Sequence, residues 1–261
     1  MTTERAQVVS SFTIIKGSMI EETYAAFKAW DWSRSKRENL TWMRDESGIW
    51  GGSANWARDV YKVLNRRFDP FGRDRPLAEL AQAGCELHVW RPLLLWHMTR
   101  DEYLLRDFLV YWLYERYSQG VFRLRPEDAV EYLKSLKKKR DVEWSGSWTE
   151  NTTERVASGL LRMASDFGLL TGGAVKEFAS YHLPEESFLY LLYALSDAHL
   201  SGRAVLESDE WRMYLLDQGD VEQELLRLHQ FHKLRYEVAG TLVSLTLPQT
   251  SVTEFVRESS T

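Results

Sequence analysis

The chain has 261 residues, of which 44% are hydrophobic and 27% are charged, as in a globular protein with a sizeable core. Its formal net charge of −5 argues against a protein that coats nucleic acid indiscriminately, but it leaves room for a local basic face. Cys85 is the single cysteine, so an internal disulfide and a cysteine zinc site are excluded. No secretory signal is present and no apolar run reaches the ~20 residues that span a bilayer, so we expect a cytoplasmic protein without membrane contact.

The first part of the chain predicts a series of helices. Residues 1–15 look loose or extended, and residues 19–30 repeat apolar side chains at helical spacing. A second helix opens at Ser33, and after a glycine turn Ser53 caps a third helix that ends before Asp69. Residues 33–68 therefore predict a helix-turn-helix-like unit within an N-terminal domain of residues 1–78.

The third of these helices carries a basic ladder on its outer side. Arg58, Lys62 and Arg66 stand at i, i+4 and i+8, with Arg67 beside them. Such a ladder is typical of a phosphate-binding stripe, and it is equally typical of an ordinary solvated helix face. We include all four residues among the candidate nucleic-acid contacts and leave both interpretations open.

A central domain is predicted for residues 79–184. Residues 100–117 are apolar around most of a helix, which indicates a buried spine. Pro126 begins the next helix at the position that proline prefers, and between residues 123 and 140 seven bases stand against three acids. Lys137 and Lys138 belong to this basic run. Binding to a phosphate backbone would explain the run, and so would a favourable interaction with the helix macrodipole.

Residues 147–183 predict a helix followed by a β-hairpin. Ser147 and Glu150 have the form of a capping box, Gly168 is a natural left-handed stop, and Gly172-Gly173 suits a tight turn. With the basic helix before it, this is the order of a winged-helix module with its recognition helix and wing. The helix face opposite the apolar stripe carries side chains suited to base edges and phosphates, namely Asn151, Arg155, Ser158 and Arg162.

The remaining residues, 185–261, predict an acidic C-terminal region of helices and short strands. Ten acids stand against two bases between residues 185 and 224, so this part should face away from nucleic acid. A surface for protein partners would explain the acidity, and so would solubility alone. Residues 234–247 partly alternate around Gly240, which indicates one or two strands, and Ser251 caps a final helix.

The sequence contains no motif of enzymatic chemistry. Glycine-rich phosphate loops, nucleophile elbows and dinucleotide fingerprints are absent. His229 and His232 have a spacing that metal ligands use, but no acidic third ligand accompanies them in a recognisable motif. We therefore predict a protein without catalytic activity, metal or cofactor.

Several packing and capping segments resemble one known family along nearly the whole chain. They are RDEYLLRDFLVYWLYERY at 100–117, WTENTTERVASGLLRMASDFGLL at 148–170, the corner Leu183-Pro184-Glu185, Leu206-Glu207-Ser208 before Trp211, and LRYEVAG at 234–240. The sequence resembles the BrxA family of BREX bacteriophage-defence systems. The resemblance implies an accessory protein that acts with other BREX proteins, and the family has been likened to NusB, an all-helical RNA binder.

These observations predict a mainly α protein with small β-hairpins and helix-turn-helix or winged-helix-like modules. The leading hypothesis is a non-catalytic accessory protein that binds double-stranded DNA. An RNA binder that stacks bases on exposed aromatics such as Trp32, Trp50 or Trp148 is one alternative, and a protein scaffold of the BREX complex is another. The predicted contacts to nucleic acid are Arg58, Lys62, Arg66, Arg67, Lys137, Lys138, Asn151, Arg155, Ser158 and Arg162.

Overall fold

A computed structural model describes residues 8–138, 142–198, 201–240 and 242–259. These residues are mainly helical. The α-helices are α1 (Phe12–Lys16), α2 (Ile20–Lys28), α3 (Lys36–Asp45), α4 (Ala54–Arg67), α5 (Arg75–Gln82), α6 (Leu87–Thr99), α7 (Tyr103–Asp107), α8 (Tyr114–Ser118), α9 (Pro126–Leu136), α10 (Glu150–Asp166), α11 (Glu185–Ala198), α12 (Gly202–Leu206), α13 (Gln218–Gln230) and α14 (Val252–Ser259). A π-helical segment, Phe108–Leu113, joins α7 to α8, and a 3-10 helix covers Asp209–Tyr214. None of the described helices is long and apolar enough to cross a membrane.

Short strands form small sheets between the helices. They are β1 (Val8–Val9), β2 (Arg123–Leu124), β3 (Glu143–Trp144), β4 (Leu170–Thr171), β5 (Lys176–Phe178), β6 (Arg235–Ala239) and β7 (Leu242–Thr246). Strands β1 and β3 pair in parallel, β2, β5 and β4 form an antiparallel sheet in that order, and β6 and β7 form a hairpin. The prediction of a mainly α fold with small β-hairpins is confirmed.

The start of the chain is more ordered than the sequence predicts. Residues 1–15 look loose by pattern, but β1 pairs with β3 and α1 follows directly. Val9 and Ile14 have no solvent exposure, so this segment is held by burial against later parts of the chain and not by local signals. The prediction of a loose or extended start agrees with the extended strand β1, and it is wrong for residues 12–15, which are helical.

The helix that the sequence predicts as a buried spine lies in the core. Leu105, Phe108, Val110 and Leu113 have no solvent exposure. The buried side chains of the N-terminal, central and C-terminal regions form one continuous cluster that includes Phe27, Phe108 and Trp211. The division into domains at residues 78 and 184 remains a prediction.

The ends of α4 and α10 illustrate how local signals set helix boundaries. Ser53 caps α4 as predicted, since its hydroxyl accepts from the backbone N–H of Trp56. The capping box at Ser147 is wrong: Thr149 caps α10 and accepts from the N–H of Thr152. Gly168 follows the C-terminal end of α10 and has a φ of 81°, the left-handed conformation that glycine adopts at little cost.

The hairpin after α10 is part of a larger sheet than the sequence indicates. Strands β4 and β5 pair as predicted, with Leu170 opposite Phe178. Strand β5 also pairs on its other side with β2, where Arg123 lies opposite Glu177. The hairpin is thereby tied to the start of α9, and α10 contacts both α9 and β4.

Candidate nucleic-acid interface

Helix α10 presents one polar stripe to solvent and buries the opposite face. Asn151, Arg155, Ser158 and Arg162 are exposed, and their spacing of four, three and four residues aligns them along the helix. Val156, Leu160 and Met163 on the other face have no solvent exposure. The structure therefore brings the four predicted residues of this helix together on one surface.

The two arginines of this stripe keep their charge available. Neither Arg155 nor Arg162 forms an ion pair with a carboxylate of the described residues. Arg162 donates one hydrogen bond, to the backbone carbonyl of Ile15 at 3.2 Å, which orients its guanidinium beside α1 without neutralising it. A polyanion would meet two uncompensated positive charges on this face.

Close packing fixes the position of α10. The helix packs along α9, along α1 and against β4. Gly159 makes the contact with α1 close: a Cβ atom there would lie 3.0 Å from the carbonyl oxygen of Ile14. The exposed stripe thus stands on a helix whose other sides are all covered, as a rigid binding surface requires.

Helix α4 carries a second exposed stripe. Arg58, Lys62 and Arg66 are exposed, and none of them pairs with a carboxylate of the described residues. Arg58 lies back along its own helix, where it donates to the carbonyl of Ala54 at 3.2 Å and to the side chain of Asn55. The ladder predicted from i, i+4 and i+8 spacing is present as a continuous cationic face.

Arg67 does not belong to this face, and its prediction as a nucleic-acid contact is wrong. Its side chain has no solvent exposure and pairs with the buried carboxylate of Glu102 at 3.3 Å. The same guanidinium donates to the backbone carbonyls of Thr13, Gly17 and Ser18 at 2.9 to 3.1 Å.

Helical periodicity would have placed Arg67 inward. It stands four residues after Val63 and seven after Val60, both of which have no solvent exposure. Arg66 stands one residue earlier, about 100° around the helix, and points to solvent. Adjacent arginines in sequence therefore have opposite roles, one in the core and one at the surface.

Helix α1 lies between the two basic helices and contacts both. The ammonium group of Lys16 pairs with Asp59 of α4 at 2.5 Å, and the carbonyl of Ile15 accepts from Arg162 of α10. The Lys16 pair neutralises the one carboxylate of α4, so the charge that remains on this helix is positive. Helix α1 thus connects the two helices that carry the exposed stripes.

The lysines at the end of α9 are exposed. Lys137 and Lys138 point to solvent, and neither pairs with a carboxylate of the described residues. Lys134, one turn earlier, pairs with Glu131 at 2.8 Å and is partly neutralised. Lys139 and Arg140 of the same basic run lie outside the described residues.

Acidic side chains reduce the positive charge at the start of α10. Glu150 and Glu154 are exposed there, and with Lys134 and Lys137 they border a small cavity over Trp144 and Trp148. The positive potential is therefore concentrated further along the helix, from Arg155 to Arg162. This distribution suits contact with one stretch of a phosphate backbone.

A further basic group on α3 is absent from the sequence-based set. Arg37 is exposed without a carboxylate partner among the described residues, beside Arg34 and Arg44. Arg34 lies 5.3 Å above the Trp42 ring and Arg44 lies 4.8 Å above the Tyr61 ring. The arginines spaced through residues 34–44 were visible in the sequence, but their position beside α4 depends on tertiary packing.

The aromatics proposed as base-stacking platforms are occupied by protein contacts. Trp50 is buried and donates its indole N–H to the carbonyl of Glu22 at 3.1 Å. Trp32 lies under the guanidinium of Arg75, and Trp148 packs edge-on against Trp144 with ring centres 4.6 Å apart. Trp50 is not an exposed aromatic, contrary to the prediction, and the other two are half-buried.

The fold and these stripes define a class: a mainly helical protein with small β-sheets that carries exposed basic side chains, without carboxylate partners among the described residues, on two helices that both pack against α1. Comparison with protein families identifies the group within this class. The BrxA family model matches residues 11–193, and the chain belongs to this family. Membership associates the chain with BREX bacteriophage-defence systems. No curated protein and no solved structure matches the chain significantly.

Proposed function

We propose that the protein is a non-catalytic DNA-binding accessory component of a BREX system. The observation that carries the proposal is the exposed stripe of α10, in which Arg155 and Arg162 have no carboxylate partner among the described residues. The stripe of α4 supports it, because Arg58, Lys62 and Arg66 add positive charge across α1. The net charge of the whole chain is negative, so this local charge would direct a polyanion to one face.

We further propose that residues 103–178 act as a winged-helix module. The order of elements supports this: a helix, the strand β2, the helices α9 and α10, and the strands β4 and β5. The strand order β2-β5-β4 is the one in which a wing folds back beside the recognition helix. In this arrangement α10 enters the major groove and the β4–β5 turn contacts the backbone.

Binding should be driven mainly by phosphates and be only modestly selective for sequence. Exposed arginines and lysines outnumber the side chains suited to read base edges, of which Asn151 is the clearest on α10. Duplex DNA is favoured over single-stranded RNA because Trp50 is buried and Trp32 and Trp148 are engaged by neighbouring side chains. Other BREX proteins remain proposed partners, as family membership suggests.

Fluorescence anisotropy with a labelled duplex across ~50 to ~200 mM salt tests the proposal. We expect log affinity to fall linearly with log salt. The double variant Arg155→Ala/Arg162→Ala should bind more weakly on any sequence, with a salt slope reduced by about 1 for each arginine that contacts phosphate. Circular dichroism establishes that the variant is folded.

A matched control removes the same charge from another surface. Arg212→Ala/Arg235→Ala deletes two arginines of the C-terminal region, the half-buried Arg212 and the exposed Arg235, which pair with Asp209 and Glu237. This control should keep the wild-type affinity and slope. Equal weakening in both double variants would show that only net charge matters, and unchanged binding in the α10 variant would remove α10 from the interface.

Competition for the labelled duplex separates DNA binding from RNA binding. Stronger competition by RNA than by duplex DNA would favour the RNA-binding alternative.

A further inference from the structure

A cleft of about 330 Å³ lies outside the proposed nucleic-acid interface. It is bounded by the start of α5, the end of α6 and by α11, with the first residues of α14 at its rim. Its walls include Arg73, Trp96, Arg100, Tyr190 and Asp197. The volume is in the lower range of pockets that bind small molecules.

A buried hydrogen-bond chain forms part of the cleft wall. Nδ1 of His97 lies 2.6 Å from Oδ1 of Asp74, and Nε2 lies 2.7 Å from the hydroxyl of Tyr190. Because an ionised carboxylate only accepts, Nδ1–H donates to Asp74 and the Tyr190 hydroxyl donates to Nε2. All three side chains are buried, so this wall is rigid and its groups are already satisfied.

The carboxylates around the cleft are largely engaged by neighbours. Asp101 pairs with Arg73, and Glu79 pairs through one oxygen with Arg75 at 2.8 Å. One oxygen of Asp197 accepts from the backbone N–H of Val252 at 3.1 Å. These contacts account for Arg73 and Arg75 but leave the guanidinium of Arg100 without a carboxylate.

No carboxylate in the described part of the chain contacts Arg100 directly in this concave site, although the charges of Asp74 and Glu210 act on it from further away. Its guanidinium carbon lies 4.7 Å above the Trp96 ring, and it forms no hydrogen bond or ion pair with the described residues. Burial lowers the pKa of Arg100, since the charged form is partly desolvated. A half-buried arginine is ordinarily paired, so a negatively charged group from outside the chain would complete this site.

Three buried polar atoms of the cleft residues lack a hydrogen-bond partner within the described part of the chain, and one of them, Nε of Arg73, lies 3.5 Å from the carboxylate of Asp74. Trp96 is 6% exposed and its indole N–H donates to no acceptor. The second carboxylate oxygen of Glu79 is also buried without a donor. Because these atoms are enclosed by protein, a ligand in the cleft would not reach them, and the partly exposed guanidinium of Arg100 is the group that such a ligand would contact.

We propose that this cleft binds a small molecule that carries a carboxylate or phosphate group, a site distinct from the proposed DNA interface. The planar fork of Arg100 binds the oxyanion in two parallel hydrogen bonds. Asp197, which is exposed at the cleft, accepts from a hydroxyl or amino group elsewhere on the ligand. A molecule of nucleotide or amino-acid size matches this combination of one strong anion site and a flanking acceptor.

Thermal unfolding with three probes at constant ionic strength tests the site on the full chain. The probes are inorganic phosphate, adenosine monophosphate and glutamate, which separate a bare phosphate, a phosphate on a larger body and a carboxylate. We expect a saturable rise of Tm with at least one probe. Arg100→Gln should weaken that apparent affinity at least about tenfold, since it removes the charged, bidentate group.

Two companion variants keep the test decisive. Arg116→Gln is the matched control, because Arg116 also lies over a tryptophan ring, 5.7 Å above Trp112, but outside the cleft. Arg116→Gln should respond to the probes as the wild type does.

Ala198→Trp obstructs the rim with Arg100 in place and should also abolish the response. The proposal is overturned if no probe gives a saturable shift, or if Arg100→Gln and Ala198→Trp respond as wild type. Duplex binding by Arg100→Gln should be unchanged, so failure here leaves the DNA proposal standing.

Discussion

The guanidinium of Arg67 lies 3.3 Å from the carboxylate of Glu102, and both groups are buried. Glu102 also accepts from the hydroxyl of Thr13 at 2.6 Å. Arg67 also donates to the carbonyl of Thr13 in α1 and to that of Gly17, which follows the helix. A buried ion pair between the last residue of α4 and the residue before α7 thus fixes the N-terminal helix against which α10 packs.

We expect Arg67→Ala to destabilise the fold strongly. The change leaves the Glu102 carboxylate buried without its cation and three carbonyls without their donor. Breaking one side of a buried ion pair costs about 3–5 kcal/mol in free energy of unfolding. Urea denaturation followed by circular dichroism measures the loss.

The neighbouring arginine provides the control for this prediction. Arg66 is exposed, so Arg66→Ala should change the free energy of unfolding by less than about 0.5 kcal/mol. If the proposed interface is right, it should instead reduce the affinity for duplex DNA. Similar stabilities for the two variants would contradict the assignment of Arg67 to the core.

The contact between α1 and α10 should be sensitive to added volume at Gly159. A Cβ there already approaches the carbonyl oxygen of Ile14 to 3.0 Å and its Cγ2 to 3.1 Å. Gly159→Val should therefore displace α1 and lower the free energy of unfolding by about 1–3 kcal/mol, as overpacking does. Ser158→Val places the same side chain on the exposed face one residue earlier and should cost less. An equal loss in both variants, measured by urea denaturation, would indicate an effect of β-branching on the helix alone.

Elements with strong local signals could be predicted from the sequence. The start of α4 follows from the Ser53 cap, and the end of the α10 unit follows from Gly168, whose φ is 81°. The exposed stripes of α4 and α10 follow from helical spacing alone. Local chemistry was sufficient at these positions because it agrees with the tertiary packing.

Other features depend on contacts between distant parts of the chain. Strand β2 has only two residues and is fixed by pairing of Arg123 with Glu177, 54 positions later. Strand β1 is likewise fixed by pairing with a distant strand, β3, in which Glu143 lies opposite Val8. The cleft at Arg100 combines α5, α6, α11 and α14, and no spacing in one segment reveals it. Such features have no sequence period to detect.

The buried His97 should make stability depend on pH. Burial lowers the pKa of His97, although Asp74 opposes this, so the folded protein keeps the ring neutral where the unfolded chain binds a proton. The stabilising contribution is therefore present above the unfolded pKa of about 6.5 and is lost as the pH falls below it. We expect the free energy of unfolding to fall between pH 7 and pH 5 by up to about 1.4 kcal/mol per pH unit from this group.

Comparison with His97→Gln isolates the contribution. The variant removes the titrating ring, so its stability should fall less steeply over the same interval, even though it is less stable at pH 7. The interval stays above the range where Asp74 protonates: burial raises the pKa of that carboxyl, but the hydrogen bonds that it accepts from His97 and from the backbone N–H of Asp69 outweigh burial and lower it. Parallel pH profiles for the two proteins in urea denaturation would refute the assignment of a neutral His97.

The turn between β4 and β5 allows the role of the wing to be tested with adjacent glycines. Gly172 has a φ of 96°, and a Cβ there would lie 2.6 Å from the carbonyl oxygen of Val175. Gly172→Ala should therefore strain the turn by about 1–3 kcal/mol and increase amide hydrogen exchange in β4 and β5. If this hairpin contacts the DNA backbone, affinity for duplex DNA should fall with it, while α10 remains folded.

Gly173 provides the comparison, because an added Cβ there meets no atom within 4 Å. Gly173→Ala should leave the exchange rates, the free energy of unfolding and the DNA affinity close to wild type. Weaker binding by Gly172→Ala than by Gly173→Ala, at equal protection of α10, would assign the hairpin to the interface. Faster exchange in β4 and β5 without any loss of affinity would restrict the proposed interface to the helices, because a turn that contacts phosphates must keep its backbone in place to do so.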